Sequence, residues 1–382
     1  MRERFPGIGD DWARFDGPAG TQMVDTAIDA MADFLRSGDN ANGHGLFAAS
    51  TASTELVDDA RTTVARLLGA DADGVVFGAN MTTLTFAFTR AIARAWTDGD
   101  EIVGTRLDHD ANVTTWQLAA ADRGAVVRLA PFDVATGRLD PDAVTSLIGP
   151  RTKWVAITAA SNALGTMPDL APVVAAAHEH GARVFVDGVH LVPHQPVDVR
   201  AIGCDVFVTS PYKWYGPHSG LLWITEDLRE SVMPYKVRPS PNSAPERFET
   251  GTASFEAIAG IRAAAAFLLE SGVDTIAAHE SDRFAPILHG LQALDGVTVY
   301  GPSDLAARTP TVSFTIAGRH PDEVAAHLAS RQVAVWSGNY YAVETMDALG
   351  LATTGAVRVG VSCYTSPADV DRLLAAVAEL TN

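Results

Sequence analysis

The sequence predicts an α/β fold: a large α/β/α unit built on a mostly parallel sheet, followed by a smaller α+β unit. Three observations carry this. Between Val75 and Ile224, strand-like runs alternate with helical patterns for some 150 residues, the pattern of parallel strands joined by crossover helices. The runs, such as Val184-Phe185-Val186 and Val206-Phe207-Val208, are continuous and apolar, as strands covered on both faces must be. Past residue 272 the rhythm changes to a mixed, largely antiparallel set of strands and helices. The expected division is an N-terminal segment (1–20), a large unit (21–271) and a small C-terminal unit (272–382).

In chain order, a Gly- and Pro-containing turn over 15–21 precedes an amphipathic pattern that predicts a helix over 24–35. The Gly- and Asn-rich stretch 40–54 lacks periodicity and reads as a loop, before a helix over 55–68 and a strand over 75–77. Gly78-Ala79-Asn80-Met81-Thr82-Thr83 opens a long helical pattern to 96. Free N–H groups and the positive dipole end of such a helix suit a phosphate, and the same residues equally suit ordinary Thr capping. Strand 101–105 runs into Leu107-Asp108-His109-Asp110-Ala111-Asn112 and a helix to 118; strand 126–129 precedes a helix over 141–148 capped by Asp140. Strand 154–158 ends in Ala160-Ser161-Asn162-Ala163-Leu164-Gly165-Thr166, helix 171–180 leads to the strand ending at Asp187, and strand 221–224 closes the sheet. Residues 231–256 are rich in Pro and polar groups, and so long a loop is usually functional or an interface. After helices over 256–269 and 274–294 come strands at 297–300, 311–316, 333–336 and 357–362, and helices at 321–330 and 367–380.

Composition narrows the function classes. A net charge of −18 and a pI near 4.9 argue against nucleic acid or anionic membrane as a partner. No apolar run approaches the ~20 residues needed to cross a bilayer, and Met1-Arg2-Glu3-Arg4-Phe5-Pro6 lacks a signal-peptide core, so a cytoplasmic protein is expected. The two cysteines, Cys204 and Cys363, sit in strand-like contexts and read as buried free thiols.

The chemistry gathers in two strand ends. One strand stops at a carboxylate in Val186-Asp187-Gly188-Val189-His190; the next runs into a hydroxyl and an amine in Ser210-Pro211-Tyr212-Lys213. Ligands of parallel sheets sit at such C-terminal ends. This pair suits pyridoxal phosphate (PLP), whose aldehyde forms a Schiff base with Lys and whose ring nitrogen needs an anion. The chain has three lysines. Lys153 reads as a solvated charge at a strand entry, Lys236 lies in a Pro-rich loop, and Lys213 follows a buried strand among small and aromatic residues. Local sequence leaves open whether Lys213 is that amine or a surface lysine on a tight turn.

Asp187-Gly188-Val189-His190, Ser210-Pro211-Tyr212-Lys213, Asp108-His109-Asp110-Ala111-Asn112 and Ser161-Asn162-Ala163-Leu164-Gly165-Thr166 together resemble the class V aminotransferase group of fold-type I PLP enzymes. The nearest likeness is to the cysteine desulfurase/selenocysteine lyase branch, in its cysteine desulfurase-like subgroup. It runs from about residue 16 to the C-terminus, with 213 − 187 = 26 residues between Asp and Lys. The resemblance implies roles. Lys213 would hold PLP and then move the substrate's α-proton. Asp187 would keep the ring nitrogen protonated, and His109 would stack on the ring. Asn162 and His190 (where desulfurases carry Gln) would approach the ring's phenolic oxygen. Met81, Thr82, Ser210 and Tyr212 (where relatives have His) would hold the phosphate. Gly251 and Thr252 would reach a partner's phosphate across a homodimer interface, giving shared active sites. Arg358 would clamp the α-carboxylate of an amino-acid substrate, with Asn339 and Tyr341 beside it.

One departure bears on the reaction. Desulfurases carry a persulfide-forming Cys on a loop of the small unit, and the corresponding stretch reads Val335-Trp336-Ser337-Gly338-Asn339-Tyr340-Tyr341-Ala342, with Tyr341 at the Cys position. Cys363, an odd number of residues from Arg358, would face the other way on a regular strand. Tyr340 or Tyr341 would shape the pocket, donate a proton or simply pack. The leading expectation is a C–S lyase acting by β-elimination on cysteine or an S-conjugate. Transamination or another α-carbon reaction, and a non-catalytic PLP-bound partner protein, are the alternatives. A metal site is not expected: His190 and His194 have helical ligand spacing, but Pro193 disfavours a helix there.

Overall fold

The apolar runs become strands in the computed structural model, which describes residues 1–9 and 11–381. In chain order these are β1 (Ala13–Arg14), β2 (Val75–Gly78), β3 (Glu101–Thr105), β4 (Val126–Ala130), β5 (Thr152–Thr158), β6 (Arg183–Asp187), β7 (Val206–Thr209), β8 (Gly220–Ile224), β9 (Val297–Tyr300), β10 (Thr311–Ile316), β11 (Val333–Ala334), β12 (Trp336–Gly338) and β13 (Ala356–Gly360). The central sheet has the order β2-β8-β7-β6-β5-β3-β4. β8 runs antiparallel to both neighbours, and the other pairings are parallel. The C-terminal ends of β2, β3, β5, β6 and β7 therefore lie along one edge.

Each strand supplies both faces of the sheet. Val184, Val186 and Phe207 pack into one apolar cluster, while Phe185, Val206 and Val208 pack into the cluster on the opposite face. This is the two-residue alternation of a pleated strand, and it explains why the sequence there is apolar without a break. Each such side chain contributes about 1.5–3 kcal/mol by leaving water. A second, antiparallel sheet has the order β12-β13-β10-β9. It packs on the helices Val273–Ala293 and Pro367–Ala378 through a third cluster that includes Phe284, Leu288, Phe314 and Leu373. Among the described residues no helix is long and apolar enough to cross a membrane.

Several boundaries differ from the sequence reading. The loop expected over 40–54 is half helix: the helix runs Ala48–Leu68. Its first turns look aperiodic because Ser50 and Ser53 turn their hydroxyls back to the Asn42 and Ala41 carbonyls, so hydrogen bonding rather than apolar burial seats them. The strand expected over 333–336 is split between sheets. β11 pairs in parallel with the N-terminal β1, while β12 pairs with β13. The N-terminal segment thus joins the C-terminal layer, with Ala13 and Phe15 in its core. β13 stops at Gly360, whose N–H donates to the Phe15 carbonyl. A short helix, Val343–Ala348, adds to the expected set, and the helix expected over 141–148 ends at Thr145.

Two glycines are needed by contact. A Cβ on Gly188 would overlap the Phe207 ring, and one on Gly220 would overlap the Asn80 carbonyl carbon. Gly220 therefore lets β8 approach the turn that starts the helix Met81–Ile92. Gly220→Ala is expected to destabilise the fold by about 1–3 kcal/mol, the usual range for overpacking, read from urea unfolding. An unchanged midpoint would mean that the Asn80 turn can retreat freely.

Candidate active site

The edge where the parallel strands end gathers the chemistry. β7 passes through Ser210 into the tight turn Pro211–Lys213. The N-terminal segment straps this turn in place. Thr21 donates its N–H (2.9 Å) and hydroxyl (3.1 Å) to the Tyr212 carbonyl, Thr21 Oγ1 accepts the Tyr215 N–H at 3.0 Å, and Val24 N–H donates to the Tyr215 carbonyl at 3.0 Å. Lys213 lines a small cavity together with Met81, Thr82, His109, Asn162, Asp187, His190 and Tyr212. Eight of the sequence-predicted site residues thus share one pocket. Among the described residues no group of three or more His, Cys, Asp or Glu side chains could hold a metal ion.

The helix Met81–Ile92 points its N-terminus into this pocket. The cap is not a Thr: Asn80 Oδ1 accepts the Thr83 N–H at 2.8 Å, which leaves Thr82 free to line the cavity. Across the sheet edge, Asp108 is buried and takes hydrogen bonds from Thr105 and Asn112. Burial lifts its pKa to about 8. Its role is to brace the turn that carries His109. His109 Nδ1 accepts the Ala111 N–H at 3.0 Å, and burial, then Lys213 and Arg358, hold its pKa down to about 3. The imidazole is therefore neutral and presents a flat face.

Burial dominates the charged groups. It lowers Lys213 to about 7, helped by the Arg358 charge and opposed by Asp187. It raises Asp187 to about 6, against the Val189 N–H that donates to Oδ1 at 2.9 Å and the Lys213 charge. His190 is pushed well below its usual range by burial and the neighbouring His194. His190 Nε2 meets Thr311 Oγ1 at 2.9 Å, while among the described residues its Nδ1 has no hydrogen-bond partner, and the buried Ser210 Oγ and Asn162 Oδ1 also lack one.

A wider cleft opens in front of the pocket and contains Arg358, Asn339, Tyr340 and Tyr341. Arg358 is held by groups that carry no full charge. Its guanidinium lies 4.4 Å from the centroid of the Tyr340 ring, and Nη1 donates to the Asn162 carbonyl at 2.9 Å. Asn162 Nδ2 in turn donates to the Tyr340 carbonyl at 2.9 Å, and the Tyr340 hydroxyl donates to the Ala356 carbonyl. Tyr340 and Tyr341 have φ of 51° and 57°, left-handed values that cost a side-chain-bearing residue about 1–2 kcal/mol each. This strain turns the Tyr341 ring back over His109, with centroids 5.6 Å apart and planes 28° apart. Residue spacing held no sign of Tyr340 as the platform under Arg358, of Asp108 as a brace or of the Thr21 strap. The platform and the strap join distant chain segments, and the brace depends on how deeply Asp108 is buried.

Three residues of the expected set lie elsewhere. Ser210 is buried beside the pocket. Gly251 and Thr252 line a separate cleft with His44, Asp58 and Arg61. Both cysteines are buried. Cys204 lies before β7, and Cys363 lies past the end of β13, where its N–H donates to the Tyr215 hydroxyl. Burial pushes both thiols up, away from the thiolate form.

Residues 14–373 match the profile of the family described as aminotransferase class-V. Over 404 aligned positions, the chain is 33% identical to a cysteine desulfurase of Klebsiella pneumoniae (strain 342), spanning 100% of this chain and 97% of that protein. Among solved structures, the apo cysteine desulfurase of Thermococcus onnurineus NA1 superimposes with a TM-score of 0.94 at 27% identity, covering 100% of this chain and 97% of that one. The S-sulfonic acid form of the Escherichia coli cysteine desulfurase CsdA gives a TM-score of 0.91 at 27% identity, covering 100% and 98%.

The electrostatics make a prediction that needs no substrate. With no cofactor bound, Lys213 should react with a small aldehyde, under a reducing trap, with a midpoint near pH 7 instead of the ~10.4 of free lysine. Arg358→Leu removes a cation that disfavours the ammonium, so the midpoint should move up. Peptide mass spectrometry across pH reads both; a midpoint near ~10 in the parent protein would rule out the buried, depressed amine.

Proposed function

The chain belongs to the class-V aminotransferase family of PLP-dependent enzymes, and we propose that it acts as a cysteine desulfurase-like C–S lyase. In this reading it releases sulfur from the β-carbon of a cysteine-type amino acid without a persulfide-forming cysteine of its own. The observation that carries the proposal is a buried amine, Lys213, sharing a pocket with a buried carboxylate, Asp187, beside a cleft that holds Arg358, an arginine with no charged partner in contact among the described residues. The positions of the two cysteines support the second half, since neither lines the pocket or the cleft.

The pocket fits PLP on its own terms. The N-terminus of the helix Met81–Ile92, Thr82 and the unpartnered Ser210 hydroxyl suit the phosphate. Asp187 suits the ring nitrogen, the His109 face suits the ring, and the open polar atoms of Asn162 and His190 suit its phenolic oxygen. When bound, PLP supplies an electron sink conjugated to the substrate's α-carbon. Lys213, with its pKa near 7, is matched to take the α-proton at neutral pH. Arg358, kept flat by Tyr340, binds the α-carboxylate and fixes which bond at the α-carbon faces Lys213. Loss of the α-proton lets the Cβ–S bond break, its electron pair leaving with sulfur, which picks up a proton. The aminoacrylate left behind takes up water and yields pyruvate and ammonia.

The same proposal extends to assembly and location. Gly251 and Thr252 line a cleft apart from Lys213, which supports a homodimer in which each chain completes its partner's phosphate site. The division between 21–271 and 272–382 is supported by the separate apolar cluster of the C-terminal sheet, which also takes in Ala13 and Phe15 of the segment 1–20. The acidic composition supports the absence of nucleic-acid or anionic-membrane partners, and a cytoplasmic location is part of the same proposal.

The purified protein should show a visible PLP absorption band that is missing in Lys213→Ala, and cysteine or an S-substituted cysteine should yield pyruvate. Transfer of the amino group to an added keto acid without pyruvate would replace the lyase with a transaminase. Failure to take up PLP would overturn the whole reading. Arg358→Leu should raise KM about 100-fold, the loss of a bidentate charged contact worth ~3 kcal/mol. Tyr340→Leu should raise it about 10-fold through loss of the cation–π face, while Tyr340→Phe should stay close to the parent in KM.

A further inference from the structure

The lyase reading leaves the sulfur end of the substrate unspecified. Resting on that reading, we propose that the sulfur of the preferred substrate carries a bulky, uncharged, apolar or aromatic substituent, so that the enzyme cleaves S-conjugates in preference to free cysteine. Arg358 and Lys213 fix the α-carboxylate and amine ends at the inner wall of the cleft, and the side chain must leave toward the mouth.

What stands at the mouth is aromatic. Trp336 on β12 is the direct register partner of Arg358 on β13, and paired residues of neighbouring antiparallel strands project to the same face. The carboxylate anchor is therefore flanked by Trp336, a residue that is 53% exposed. Tyr341 is 69% exposed, yet it is not a free surface group. Its N–H donates to Asn339 Oδ1 at 3.0 Å, its carbonyl accepts the Asp110 N–H at 2.6 Å, and its ring lies against His109. Two successive residues held in the left-handed region present an aromatic face to the cleft, and such strain persists where the surroundings enforce it. Phe86, on the helix Met81–Ile92, lines the same cleft.

Charge narrows the class further. Among the described residues lining the cleft, Lys213 and Arg358 are the cations, both already assigned to the backbone of the amino acid, and Asp110 is the carboxylate. A second acidic group on the substrate would meet Asp110 and find no cation to receive it. The cleft holds about 1030 Å³ and opens to solvent, at the upper end of the ~300–1,000 Å³ of a typical small-molecule pocket, so it has room for a large substituent. The reaction balances with the Cα–H and Cβ–S bonds broken, the substituted thiol released with a proton, and water consumed as the aminoacrylate becomes pyruvate and ammonia.

The test compares kcat/KM of the PLP-loaded enzyme for S-benzyl-cysteine, cysteine and S-carboxymethyl-cysteine, with pyruvate as readout. S-benzyl-cysteine should exceed both others by about 10-fold or more, the scale on which apolar contacts discriminate. Trp336→Ala should bring the benzyl-to-cysteine ratio toward one, and Trp336→Phe should keep most of it. Cysteine turned over as well as, or better than, the benzyl conjugate would overturn this inference and leave the lyase reading standing. An unchanged ratio in Trp336→Ala would overturn the role of the aromatic mouth. Pyruvate from none of the three would sink the lyase reading and this inference with it.

Discussion

Two cations buried in one pocket set the terms for everything around them. Lys213 and Arg358 are each almost fully enclosed, and both add to burial in holding the His109 imidazole in its neutral form. Arg358, lowered to about 10 by burial, still carries its charge at neutral pH. Its field adds to burial in disfavouring the Lys213 ammonium, so Lys213 is the group that yields, and Asp187 opposes this only in part. A buried, uncompensated charge is costly, and a pocket with a surplus of positive charge lowers that cost by binding an anion. The arginine is held by an aromatic face and a backbone carbonyl. Neither cancels its charge, so the positive field remains available to a ligand carboxylate.

The supports of these two cations come from far apart in the chain. Lys213 is held by the N-terminal Thr21 and Val24. Arg358 is held by Asn162, which follows β5 of the central sheet, and by Tyr340, which follows β12 of the second sheet. Asn162 bonds both Arg358 and the Tyr340 backbone and so joins the two sheets at the pocket. The N-terminal segment does the same at the other side, pairing β1 with β11 and then running under the Lys213 turn. A displacement of the small sheet would move Arg358 relative to Lys213, which couples the packing of the two layers to the spacing of the two buried basic groups.

Much of this was legible in the sequence. The inner strands of the central sheet announced themselves because burial on both faces demands unbroken apolar runs, and Val184 through Asp187 and Val206 through Thr209 read directly as such. Asp187 and Lys213 stood out as polar groups at the ends of buried strands, whereas the roles expected of His109 and Asn162 came from the family resemblance. The split of 333–336 could not be read, since Val333 and Trp336 differ only in which distant strand claims them. The helix start at Ala48 was hidden because serine hydroxyls, and not an apolar stripe, seat its first turns.

By itself, the sequence determined the fold class, the strand ends that carry the chemistry and the acidic charge of the molecule, because each depends on local pattern or on composition. Only the tertiary structure decided what those residues experience. A depressed Lys213 depends on how completely the pocket excludes water and on an arginine some 145 positions away (358 − 213). A cation–π platform at Tyr340, an aromatic mouth at Trp336 and Tyr341, and the exclusion of both cysteines from the pocket are contacts between distant segments. Such contacts leave no periodicity to read, because the sequence distance between the groups bears no relation to their distance in space.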